Sequence, residues 1–154
     1  MAVSDSNQGQ VVQAGSGPNY EVWQSSTGAL RLDWNRLGVV AATVIGHGHA
    51  EYGAHITRRW DTAIRGGARI TMLVDFSEMP TYESGLRTAM TNWALKNRAS
   101  LEPAHILTRS KLVAMGVAVG NLALGGLLTP HATRASFDLI VKKNGIVANP
   151  MMSK

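Results

Sequence analysis

Three of the five histidines in the chain, His47, His49 and His55, gather around a Gly46-His47-Gly48 turn. Neutral ring nitrogens are common zinc ligands, so this spacing raises a metal reading. Glu51 and His55 stand four apart on one helical face, but no fourth ligand is fixed. Solvated histidines about a glycine-rich turn are the better explanation of the pattern, and neither a metal nor a cofactor is assigned. Gly46-x-Gly48 could turn amides toward a phosphate, since it follows a strand-like run and precedes a helix-like one. It lacks the third glycine of a dinucleotide loop, and no Gly-Lys-Ser/Thr ending makes it a triphosphate loop. Cysteine is absent, which excludes thiol nucleophiles, disulfides and thiolate-bound zinc. The serines include no Gly-x-Ser-x-Gly elbow. Asp75 closes an apolar run, yet no acidic cluster accompanies it to hold the magnesium of an aspartyl-phosphate enzyme. It is read as organising a turn, and the chain is not expected to be an enzyme.

Positioning these groups requires a scaffold, and the hydrophobic periods supply one. Tyr20-Glu21-Val22-Trp23 and Leu30-Arg31-Leu32-Asp33-Trp34 alternate apolar and polar residues around a Ser26-Thr27-Gly28 turn, which predicts a hairpin. Val39 to Ile45 is almost continuously apolar and fits a central strand covered on both faces. From His49 to Arg65 the period lengthens: Tyr52, Ile56, Trp60, Ala63 and Ile64 make the inner stripe of a helix that Gly66-Gly67 stops. A strand over Ile70 to Asp75, a helix from Tyr82 to Arg98, a strand over His105 to Thr108 and helices from Leu112 to Leu124 and Thr133 to Lys143 follow. In the second helix, Leu86, Met90, Trp93 and Ala94 are the buried stripe, Thr81 is placed to cap the free amides, and Glu83 with Arg87 forms an i,i+4 pair. The order βββ-αβ-αβ-αα predicts an α/β fold: a single mixed sheet with an antiparallel start and parallel crossovers, and about four helices mainly on one face.

With 154 residues, one domain is expected. Residues 1–19 are read as a flexible tail, 20–143 as the domain and 144–154 as a loosely held end. The uncharged stretch from Leu112 to Ala132 is too interrupted by Gly116, Gly120, Gly125, Gly126 and Pro130 to span a bilayer, so no membrane partner is expected and a cytoplasmic location is. A net charge of +5 suits acidic partners, but no dense Lys/Arg run or aromatic stacking platform marks a nucleic-acid surface. Arg58, Arg59, Arg65, Arg87, Lys96 and Arg98 are expected to form a basic surface across the first two helices.

The stretch from Met72 through Asp75-Phe76-Ser77-Glu78 and Thr81-Tyr82-Glu83-Ser84-Gly85-Leu86 resembles the diagnostic segment of STAS domains, the anti-sigma-factor antagonist family. In that family a strand ends in an Asp-Leu-Ser-like turn, and an Asp-Ser-Ser-Gly-Leu motif starts a helix whose first serine is phosphorylated by a partner kinase. With Ser84-Gly85-Leu86 aligned to the motif, the phosphorylated position falls on Glu83 and the preceding aspartate on Tyr82. Glu83 then either imitates a permanently modified state or is an ordinary first-turn glutamate, favourable there in both cases. The resemblance covers residues 20–143 and is closest to the divergent bacterial STAS-like branch. It implies a non-catalytic regulatory module whose partner is a protein, such as an anti-sigma factor or kinase-like regulator. The implied binding surface is Ser77, Glu78, Thr81, Glu83, Ser84 and Arg87, with Asp75 holding the turn beneath, and Ser84 and Thr81 as possible phosphorylation sites. The alternative is a small apolar-ligand or lipid-binding STAS/SEC14-like domain, with Gly116 and Gly120 lining a gap beside the sheet. The oligomeric state is left open.

Overall fold

The computed structural model describes residues 10–67 and 69–147. Alternation produces the hairpin of β2 (Tyr20–Ser25) and β3 (Gly28–Trp34): Leu30 and Leu32 enter the main core, while Val22, paired with Arg31, is buried on the other face. The apolar run forms β4 (Val39–Gly46), antiparallel to β3. Its alternate residues serve different faces: Val40, Ala42 and Val44 enter the main core, whereas Val39 and Ala41 enter a second cluster. Three crossovers through α1 (Ala50–Arg65), α2 (Ser84–Lys96) and α3 (Lys111–Ala123) then lay β5 (Thr71–Glu78), β6 (Ala104–Thr108) and β7 (Leu128–His131) parallel to β4 and to one another. Among the described residues seven strands form one sheet and follow chain order across it.

Helices α1 to α3 cover one face through Tyr52, Ile56, Trp60, Leu86 and Val113, each fully or almost fully buried. Side chains of this size contribute roughly 1.5–3 kcal/mol each on burial, so this face carries most of the folding free energy. The last helix, α4 (Arg134–Lys143), lies on the opposite face, where Phe137 closes over Val39, Ala41, Leu73 and Leu107. Among the described residues the mixed sheet and four α-helices are those expected, with α4 alone on the far side.

Two strands are additional to the expected order. The first, β1 (Val12–Gly17), occupies part of the segment expected to be a tail; residues 1–9 lie outside those described. It pairs antiparallel with β2 through its backbone, with a register shift between Gln13 and Gly15 that marks a bulge. The other is β7, where a turn was expected after α3. Its Pro130 is tolerated because β7 is the edge of the sheet. At the far end Asn144 accepts from Asn35 Nδ2 and Ile146 packs on the second cluster, so the beginning of the expected loose end is docked; residues 148–154 lie outside those described.

Candidate functional site

The corner at the start of α2 is built by a close approach between backbones. Gly48, just past β4, donates its amide to Thr81 O at 2.9 Å and accepts from the Glu83 amide at 2.8 Å, a one-bridge parallel pairing that pins residues 81–83 against the β4–α1 turn. A Cβ built on Gly48 would lie 2.5 Å from Met79 Sδ and 2.9 Å from Tyr82 Cβ, so only glycine permits this contact. The Gly48 amide is thus committed to the chain itself, which removes it from the phosphate loop considered for Gly46-x-Gly48. Gly53 on α1 abuts Ala89 on α2, and Gly85 abuts Ala50, so the amino ends of the two helices lie side by side.

Glu83 is the N-cap residue of α2, but its side chain reaches across to the neighbouring helix: Oε1 accepts the Ala50 amide at 2.6 Å. The carboxylate therefore compensates the positive end of α1. The expected Glu83–Arg87 ion pair is absent among the described residues, because Glu83 is directed to α1. Thr81 does not cap α2 either; its hydroxyl bonds His47 Nδ1 at 2.9 Å. His47 Nε2 lies 3.9 Å from Glu83 Oε2, and His49 Nε2 bonds Ser25 Oγ at 3.0 Å and Thr27 Oγ1 at 2.7 Å. Thr81, Glu83 and Ser84 are exposed.

Asp75 and Ser77 belong to a different arrangement. Both are buried inside β5, and Ser77 is corrected from an exposed contact residue to an interior one. Asp75 Oδ1 accepts from the Ser77 amide at 3.0 Å and from its hydroxyl at 2.7 Å, while Oδ2 accepts from Arg134 Nη2 at 2.7 Å. Arg134 opens α4, so Asp75 stands on the α4 face of the sheet instead of beneath the start of α2. The same network borders a cavity of about 360 Å³ that Glu78, Arg31, Arg109 and Phe137 help to line. Arg134 lies 59 residues from Asp75, and sequence reasoning missed the pair because no local pattern carries it.

No family model matches the chain, and no curated protein matches it. Solved structures do. An uncharacterised protein of the DUF3478 family from Shewanella loihica PV-4, described as having a SpoIIAA-like fold, is 15% identical; the match covers 82% of this chain and 98% of that one with a TM-score of 0.54. The Bacillus cell-fate determinant SpoIIAA in its phosphorylated form is 18% identical over 72% of this chain and 98% of its own, with a TM-score of 0.50. The anti-sigma factor antagonist SpoIIAA in its unphosphorylated form is 21% identical over 77% and 99%, with a TM-score of 0.52. The chain has a SpoIIAA-like fold.

Tyr82, which the sequence resemblance aligns with the aspartate of the STAS motif, serves packing here. Its hydroxyl lies directly against Gly116 of α3, where any side chain would collide with it. Gly116 and Gly120 border an apolar cleft between α2 and α3, with Arg87 at its edge, but its volume is only about 70 Å³. Pockets for small ligands run to roughly 300–1,000 Å³, so this cleft is too small for a lipid chain. The expected basic surface is partly folded down: Arg59 lies 3.5 Å over the Trp34 ring and pairs with Glu21, while Arg58 Nη2 bonds His55 Nδ1. His55 is buried and stacked on Trp23 at 3.6 Å. Burial, reinforced by the Arg58 guanidinium, holds its pKa below the ordinary histidine value. No helix among the described residues is long and apolar enough to cross a membrane.

Proposed function

We propose that this STAS-like domain is a non-catalytic regulatory module, cytoplasmic, that docks a protein partner of the anti-sigma-factor or kinase-like class on the corner formed by Thr81, Glu83, Ser84 and Arg87. The observation that carries the reading is the solvent exposure of that corner: the Glu83 side chain is 49% exposed while both flanking helices are anchored beneath it. A rigid support with a polar, accessible tip suits recognition by another macromolecule, since little conformational freedom is lost on docking. Glu83 stands where the aligned family motif has its phosphorylated serine, and its carboxylate is held in place by the Ala50 amide. In this reading the chain presents a constitutive anion at the position that a kinase charges in its relatives. Ser84 and Thr81 remain the hydroxyls on which a kinase would add further charge.

The test is a binding titration against the partner recovered from the native cell, with the wild-type domain and Glu83→Lys. Affinity should fall at least tenfold in the variant while its circular dichroism stays unchanged. Equal affinity removes Glu83 from the interface and defeats the reading. Intact-mass measurement of protein from the native cell, with phosphosite mapping, checks the kinase extension, which requires a phosphate on Ser84 or Thr81.

A further inference from the structure

The structure brings Glu83 to two histidines that are already neighbours in the sequence. His47 and His49 flank Gly48 at the end of β4, and the Gly48 bridge brings Glu83 to them from the start of α2. One potential donor atom from each residue lies within 4.8 Å of the other two. The pair weighed from sequence, Glu51 with His55, is separate from this group: His55 is buried and stacked on Trp23.

The hydrogen bonds around the three residues divide their atoms into two sets. Thr81 Oγ1 engages Nδ1 of His47, Ser25 and Thr27 engage Nε2 of His49, and the Ala50 amide engages Oε1 of Glu83. Among the described residues no hydrogen bond engages Nε2 of His47, Nδ1 of His49 or Oε2 of Glu83, which leaves these atoms for a cation. Outer partners of this kind fix the ring tautomer and the carboxylate rotamer of metal ligands, and here all three ligands have one. Zinc–donor distances of about 2.0–2.2 Å place tetrahedral donors about 3.3 Å apart. The His47 Nε2 to Glu83 Oε2 separation of 3.9 Å needs only a small side-chain rotation to reach that value.

We propose that His47, His49 and Glu83 form a binding site for a divalent transition-metal ion of the zinc class, with its fourth position open to water or to a donor from a bound molecule. Two imidazoles and one carboxylate suit zinc or cobalt and disfavour calcium and magnesium, which take mainly oxygen ligands. The site shares Thr81 and Glu83 with the docking corner, and a cation held there neutralises the Glu83 charge; metal affinity is therefore measured on the isolated chain, where its outcome does not depend on a partner.

The experiment titrates the untagged full chain with Co(II), following visible absorption, and then with Zn(II) in competition with a chromogenic chelator. One Co(II) per chain with the intense bands of a four-coordinate N/O site is expected, displaced by one equivalent of Zn(II). His49→Ala and Glu83→Gln should each abolish the bands, and Thr81→Val should weaken binding about 10- to 100-fold. Glu83→Gln keeps an oxygen for the Ala50 amide, so loss of metal in a variant with an unchanged melting curve assigns the carboxylate as a ligand. A control, His131→Gln, alters the other close histidine pair, in which His105 Nδ1 and His131 Nε2 lie 3.0 Å apart, and should leave the bands intact. No saturable Co(II) binding overturns the site. So does binding that survives both His49→Ala and Glu83→Gln, or binding lost only in His131→Gln.

Discussion

Replacing Arg134 with methionine tests how the sheet face opposite α1 to α3 is closed. The methionine retains an apolar stem against Phe137's side of the sheet but removes both hydrogen bonds from Nη2, to Asp75 Oδ2 and to Ser77 Oγ, each 2.7 Å long. The Asp75 side chain is only 13% exposed, so its carboxylate is left inside with the Ser77 donors alone. Breaking a fully buried ion pair costs about 3–5 kcal/mol, and hydrogen bonds to charged groups contribute about 1.5–3. Arg134 itself is 45% exposed, and solvent screening there places the loss at the lower end, about 1.5–3 kcal/mol. The second contact of Arg134, to exposed Asp138, adds little. For a domain of this size the loss corresponds to a fall in Tm of roughly 3–12 °C. Thermal unfolding followed by circular dichroism reads it directly, with urea unfolding to confirm that the m-value is unchanged. Replacing Asp75 by Asn together with Arg134→Met should recover part of the loss, since the unpaired charge is then gone. A melting point for Arg134→Met within about 1 °C of wild type would refute the view that this pair anchors α4.

Gly116→Ala drives a methyl into the Tyr82 hydroxyl and should destabilise by about 1–3 kcal/mol, whereas Gly116→Ala with Tyr82→Phe, which removes that oxygen, should recover most of the loss in urea unfolding. Acidification should destabilise the domain through His55 and His105, whose folded-state pKa values both lie below the ordinary one because burial disfavours the charged ring, with Arg58 adding to the effect at His55 and His131 at His105. The unfolded chain then binds more protons, so this stability is fully present above about pH 6.5 and is lost as pH falls through the folded values. Tm measured at pH 7.5 and 5.5 checks it, and the difference should shrink in His55→Gln; an unchanged difference assigns the effect elsewhere.

The parts of the fold legible in the sequence are those in which a period repeats on a buried face. Tyr52, Ile56 and Trp60 recur at helical spacing and are buried, and Leu30 and Leu32 alternate and are fully buried. Strand β1 left no such trace, because Val12-Gln13-Ala14-Gly15-Ser16-Gly17 is mostly exposed and is held by backbone pairing with β2. Strand β7 was obscured by Pro130, tolerated only because its position is at the sheet edge. The position of the α2 corner followed from the family resemblance, but its wiring did not. Glu83 bonds an amide 33 residues away, Thr81 a histidine 34 residues away, and Asp75 an arginine 59 residues away. Contacts at such separations arise from strand order and helix docking, and one sequence without those coordinates carries no local signal for them. The local alternatives, a Thr81 cap and a Glu83–Arg87 pair, were the nearest partners along the chain and lost to nearer partners in space.

The central claim is that the α2 corner is the docking surface, and site-specific photocrosslinking tests it most directly. A photoreactive residue placed at Ser84, exposed on the corner, is compared in the native cell with one at Leu139, which is 69% exposed on α4 across the sheet. The account predicts a discrete crosslinked protein from position 84 that Glu83→Lys suppresses, and none from position 139. A crosslink formed from position 139 and absent from position 84 would contradict it.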